Sequence, residues 1–346
     1  MFKYKQKIFI IFILCIILSS LSLTACSKEP KPHIYIALGD SVPSGYGLAS
    51  PEESYPAIFY ELLKTEDFVD EYKNMAVSGY TTTMLLELLS NMDDENLSII
   101  RNARIITLNI GGNNILIPFL EYLADLKVKT GADNIKTGTG ELLSGTEELI
   151  YGIIAEVQSR TSESDENESG FNGIISGLKG MAKGLFNTLS GAWNILLGSP
   201  EAVSTFSGSF SADLKKELDN DVQTFSDEFI KIITWIETHA PKATIIVNTV
   251  YNPFPHEVLN MSLEFFNAAN VYIESMNNII IEESKTRGYL LIDTYTHLTN
   301  QLNMMNLNLD PSAGEISFDI HPNSEGHNLI AQLNYNSFKE YMLEKK

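Results

Sequence analysis

Cysteine is nearly missing from this chain of 346 residues, which has only Cys15 and Cys26. That excludes a disulfide-stapled scaffold, so stability has to come from a buried core. Positive charge is also scarce, with 24 Lys and Arg against 44 acids and a net charge of −20. A surface of that sign repels phosphates and anionic headgroups, so neither nucleic acid nor an anionic lipid surface is expected as an electrostatic partner. Long apolar runs are lacking except at the start. Ile8 to Leu18 comes after Lys3, Lys5 and Lys7 and is short for a permanent bilayer span, which is the pattern of a secretory signal. Cys15 lies inside that segment, so the processed domain can form no internal disulfide. Losing three lysines and no acids with residues 1–25 takes the charge from −20 to −23.

The residues just after the apolar run carry a second signal. Leu23-Thr24-Ala25-Cys26 resembles the bacterial lipobox, in which the cysteine is lipidated and becomes the first residue of the mature chain. Small residues precede Cys26, and Ser27-Lys28-Glu29-Pro30-Lys31-Pro32 comes next as a flexible stretch. The resemblance implies a lipoprotein signal peptide over 1–25 and a tether over 26–32. A soluble domain from residue 33 to 345 would then be held at the extracytoplasmic face of a bacterial membrane. The mature chain is long for one ordinary domain, and 44% hydrophobic content suffices for a sizeable core.

Along that domain apolar runs of strand length alternate with amphipathic stretches. Strands are predicted at 33–38, near Tyr72, and at 104–110, 244–250 and 289–292. Helices are predicted at 55–63, around Met84 to Leu89, at 214–238 and 263–286, and from Ser324 onward. Such alternation predicts an α/β fold with a parallel sheet covered on both faces. The rhythm breaks between about residues 121 and 212. There the chain shows Thr137-Gly138-Thr139-Gly140, an acidic run at 161–170 and a long apolar stripe at helical spacing over 171–197. This is read as a mostly helical insertion. The stripe either packs permanently on the domain or serves as a lid or interfacial helix, and its five glycines leave it dependent on a partner surface.

The chemistry concentrates at the carboxyl ends of the predicted strands, where open α/β sheets place their ligands. The first strand ends in Gly39-Asp40-Ser41, which sets a small hydroxyl at a strand tip. Ser41 is there either as a nucleophile or as part of an Asp-Ser pair that caps the next helix. Asn74 to Gly79 lies after the second strand and Gly111-Gly112-Asn113 after the third. Asp319-Ile320-His321-Pro322-Asn323 occupies a predicted loop before the last helix. Tyr251-Asn252-Pro253 comes after the fourth strand, where it either lines a pocket or simply turns the chain.

Taken together, Gly39-Asp40-Ser41, Asn74 to Gly79, Gly111 to Asn113 and His321-Pro322 resemble the four ordered blocks of the SGNH (GDSL) hydrolases. The resemblance covers roughly residues 33–120 and 213–345. It implies a three-layer α/β/α flavodoxin-like fold with strand order 2-1-3-4-5, and a serine ester hydrolase that needs no cofactor or metal. Ser41 would be the nucleophile and His321 the general base. The backbone N–H groups of Ser41 and Gly79 and the Asn113 carboxamide would hold the oxyanion, each such donor supplying about 3 kcal/mol.

Two positions depart from the family pattern. The acid usual three residues before the histidine is replaced by Phe318, and the nearest carboxylate is Asp319, two residues before His321. Either the Asp319 carboxylate or the Phe318 carbonyl then fixes the imidazole tautomer. Asn114 stands where the family more often has an aspartate of structural role. His256 and His297 lack partners at metal-ligand spacing, His239 ends a predicted helix where a cation suits the dipole, and His327 belongs to the approach of the last helix, so none is a candidate.

The lipid tether and the apolar insertion point to lipid or lysophospholipid esters as substrates, with carbohydrate or cell-wall O-acetyl esters as the alternative. Two readings of other classes are a metal phosphoesterase, for which ligands are short, and a binding lipoprotein without catalysis.

Overall fold

The computed structural model describes residues 32–118, 212–253, 263–299, 301–308 and 317–345. The signal segment, Cys26, the tether to residue 31 and the predicted insertion up to residue 211, with its 171–197 stripe, lie outside the described residues.

Strand β1 (Ile34–Gly39) is buried at all six positions. That suits a central parallel strand, whose two faces are both covered and whose sequence therefore reads as one apolar run. A four-residue helical turn, α1 (Ser41–Ser44), comes at once, then α2 (Tyr55–Thr65), β2 (Glu71–Asn74), α3 (Thr82–Ser90), α4 (Asp94–Arg101) and β3 (Ala103–Asn109). Residues 112–118 are helical. The chain then supplies α5 (Ala212–His239), β4 (Thr244–Asn248), α6 (Leu263–Arg287), β5 (Leu290–Ile292) and α7 (Thr294–Leu298). It closes with β6 (Met305–Asn308), β7 (Ser317–Pro322) and α8 (Ser324–Glu344).

Strands β1 to β5 form one parallel sheet in the order β2-β1-β3-β4-β5, as expected. The two-residue pleat sorts its side chains into two cores. Ile34, Ile36, Leu38, Ile106, Leu108 and Val247 pack with α3, α4, α5 and α6 through Leu85, Ile100, Phe225, Phe229 and Met276. Tyr35, Ala37, Ile105 and Ile246 face the other way, against Tyr55 and Phe59 of α2 and Ile330 and Phe338 of α8. Each such fully buried side chain contributes about 2 kcal/mol. Three layers result, with the strand tips left open at the carboxyl edge.

Two features were not anticipated. Helix α4 has only eight residues and one fully buried aliphatic, Ile100, so its apolar period is faint. Its start is set by Asp93, whose side chain accepts from the N–H of Asn96 at 2.7 Å. The second is an antiparallel hairpin of β6 and β7, with Leu307 opposite Phe318. His321 thus lies in a strand and not in the predicted loop. Pro322 sits at the very end of that strand, where no further ladder donor is needed.

Candidate active site

The turn that carries Ser41 is built by its neighbours. Gly39 has φ +137°, and a Cβ there would stand 1.8 Å from the carbonyl oxygen of Asn109 on the adjacent strand. Only glycine permits that approach. Asp40 then donates its N–H to Asn109 O at 3.1 Å and accepts from the N–H of Val42 at 3.1 Å, capping α1. The two readings of Asp40-Ser41 are therefore compatible: Asp40 is the cap, and Ser41 is the first residue of the turn it caps.

The loop after β2 is fastened to this turn. Asn74 donates its Nδ2 to Pro43 O at 2.7 Å and accepts at Oδ1 from Ala76 N at 3.0 Å. Ser44 Oγ lies 2.7 Å from Ser78 Oγ and donates to Ser41 O at 2.9 Å. Gly79, the next residue, is buried with φ +84°, a conformation open to glycine at little cost. Asn113, also buried, donates from Nδ2 to the carbonyl of Tyr80 at 2.9 Å. A carboxamide nitrogen carries two hydrogens, so one remains for another acceptor.

His321 arrives from the hairpin. Its Nε2 lies 2.9 Å from Ser41 Oγ, and both residues are buried, at 1% and 5% exposure. The ring of Tyr46 packs against the imidazole with centroids 4.6 Å apart and planes tilted by 51°. Tyr46 is itself tied to the Ser41 turn, donating its N–H to Ser41 O at 3.1 Å. Asp319 and Phe318 lie in β7 just before His321. Their side chains are outside the described residues, so the question of which group orients the imidazole rests on function.

Ser41, Asn113 and His321 open onto one cavity, whose wall is largely apolar: Val42, Ile115, Leu116, Val250 and Ile273. Tyr251 and Pro253 line it too, which makes the turn after β4 a wall as well as a turn. Gly79 is not among the residues that line the cavity. Asp40 is at the cavity floor with its carboxyl pushed up to about 7 by burial, against the pull of N–H donors from Val42, Gly111 and Gly112. Tyr46 gave no signal of a site role in the sequence, and Asn74 and Ser78 showed only as members of the block that ends in Gly79, because each acts by a contact with a distant segment.

Residues 37–161 match the GDSL-like Lipase/Acylhydrolase family. Over that range, about a third of its length, the chain is similar to members of this family. The matched range contains the segments of Ser41, Gly79 and Asn113 but not that of His321. Among solved structures the domain is similar to phospholipase A1 from Streptomyces albidoflavus, at 15% identity and TM-score 0.42 over 89% of this chain and 99% of that one. It is similar as well to an extracellular lipase from Streptomyces rimosus, at 14% identity and TM-score 0.43, with the same coverages. A third likeness is to a putative acylhydrolase from Bacteroides fragilis, at 12% identity and TM-score 0.40, over 91% and 92% of the two chains. No curated protein matches the chain.

Proposed function

We propose that the protein hydrolyses acyl esters of lipids or lysophospholipids, using Ser41 as nucleophile and His321 as general base. The observation that carries this reading is the 2.9 Å contact between His321 Nε2 and Ser41 Oγ at the mouth of an apolar cavity. As the Ser41 oxygen attacks the acyl carbon, its proton passes to Nε2 and the carbonyl becomes an oxyanion. The N–H groups of Ser41 and Gly79 and the second hydrogen of Asn113 Nδ2 are the donors for that charge. Collapse breaks the ester C–O bond, and the proton on His321 goes to the leaving alcohol. Water then repeats the sequence on the acyl-serine, with His321 again taking and returning the proton.

The Tyr46 ring packs against the imidazole and helps to keep it beside Ser41. The apolar wall of Ile115, Leu116, Val250 and Ile273 supports an acyl chain in preference to a sugar. Cys26 is read as the lipidated residue that keeps the domain beside its substrates on the outer face of the membrane. Cys26→Ser should move the protein to the soluble fraction, and unchanged membrane retention would discard the anchor.

The test is turnover of aryl esters from acetyl to long acyl chains, with and without a chelator. A rise in kcat/KM with chain length, insensitive to chelator, is expected. Activity confined to acetyl esters would favour carbohydrate deacetylation, and loss on chelation would favour metal chemistry.

A further inference from the structure

The asparagine that departs from the family pattern is part of a directed hydrogen-bond chain. Asn114, buried at the base of the β3 tip, takes the N–H of Thr82 on its Oδ1 at 3.2 Å and donates from Nδ2 to the Thr82 hydroxyl at 3.0 Å. That hydroxyl, having accepted once, gives its own proton to Glu228 Oε2 at 2.6 Å. The same carboxylate oxygen takes the hydroxyl of Thr83 at 2.9 Å. Glu228 belongs to α5, outside the residues matched to the family. A carboxylate only accepts, so it fixes the direction of the whole chain: amide to hydroxyl to carboxylate.

The chain ends beside the oxyanion donors. Thr82 opens α3, three residues after Gly79, and Asn113, next to Asn114, holds the carbonyl of Tyr80 at 2.9 Å. Adjacent asparagines just beyond β3 therefore both hold the segment that follows Gly79, one at Tyr80 and one at Thr82. One of them is backed by Glu228.

We propose that Glu228 is a positioning residue for ester hydrolysis, which holds the Gly79 loop and Asn113 in register with the oxyanion through Thr82 and Asn114. It also accounts for the asparagine at 114. An aspartate there has no hydrogen to give to the Thr82 hydroxyl, and it would set a second carboxylate on a hydroxyl that has one proton to donate.

The inference rests on the esterase reading, and wild-type turnover tests that reading first. The variants are then compared on a soluble short-chain aryl ester, with kcat taken per site titrated by a fluorophosphonate, so that unfolded protein is not counted. Glu228→Ala is expected to lower kcat about tenfold with KM within about twofold, because a misplaced donor weakens the transition state more than the ground state. Glu228→Gln, whose carboxamide oxygen still accepts from Thr82, should stay within about threefold of wild type. Asn114→Asp alone should lose about tenfold, and the double variant Asn114→Asp with Glu228→Gln should regain most of it, because the glutamine amide can feed a chain running the other way. Thr82→Val, which keeps the shape and removes the hydroxyl, is the second route should Glu228→Ala not fold, and it should show the same selective loss of kcat. Active wild-type enzyme with unchanged kcat in Glu228→Ala or Thr82→Val would overturn the proposal. So would a double variant whose loss is the product of the two single losses. Absence of turnover in the wild type would instead fail the esterase reading.

Discussion

His321 Nε2 lies 2.9 Å from Ser41 Oγ, although 280 positions of chain separate the two residues. Ser41 is set by the tip of the central strand, and His321 by a hairpin that packs beside α8. If the pair acts as one unit, removing either member disables the same step. Ser41→Ala and His321→Ala should each lower kcat by at least about a thousandfold, and the double variant should be no worse than the worse single. Multiplying losses in the double variant would show that the two residues act separately.

The orienting group is addressed by Asp319. When the carboxylate holds the imidazole tautomer, Asp319→Asn costs more than about tenfold in kcat, or more than about 1.4 kcal/mol. That is the expected outcome. A smaller loss, with the pH profile unmoved, would assign the task to the Phe318 carbonyl.

His327, on α8, gives a prediction about pH. It is fully buried, and its Nδ1 accepts from the N–H of Tyr55 at 3.1 Å, which requires an unprotonated nitrogen. Burial, with His321 nearby, lowers its pKa from 6.5 to about 3. Below pH 6.5 the unfolded chain therefore binds a proton that the folded one refuses. Stability from this group is complete above pH 6.5 and is lost progressively as pH falls toward 3. Urea unfolding across that window should show a steep loss in the wild type and a shallower one in His327→Gln. Parallel profiles would remove His327 from the acid response.

Gly39→Ala should cost about 3 kcal/mol or more, because a methyl group 1.8 Å from Asn109 O forces apart the two strands that present Ser41 and Asn113. Urea unfolding measures this, and a loss below about 1 kcal/mol would mean that the strand tips yield easily.

The sheet was legible because β1, β3 and β4 are covered on both faces, so burial wrote itself into the sequence as apolar runs. Ser41 was legible for a related reason: a small hydroxyl directly after such a run can only stand at a tip. The features that failed to show are those that depend on contact between distant segments. His321 was expected in a loop, yet it lies in β7, whose partner β6 has only four residues and too short an alternation to read. Asn74 looked like part of a motif, but its grip on Pro43 O depends on a register between β1 and β2 that no local pattern encodes. Tyr46 stood in a Gly-rich turn, where nothing local indicates a ring meeting His321. Asp40 was read as a cap competing with a catalytic Ser41, whereas the turn it caps is the one that begins at Ser41.

The central claim is that Ser41 is the nucleophile, and covalent labelling tests it most directly. The purified domain should be treated with a serine-directed fluorophosphonate, digested, and the adduct located by mass spectrometry. A single adduct on Ser41, formed at the rate at which esterase activity disappears, is the predicted result. An adduct on another residue, or full labelling of Ser41 with activity intact, would contradict it.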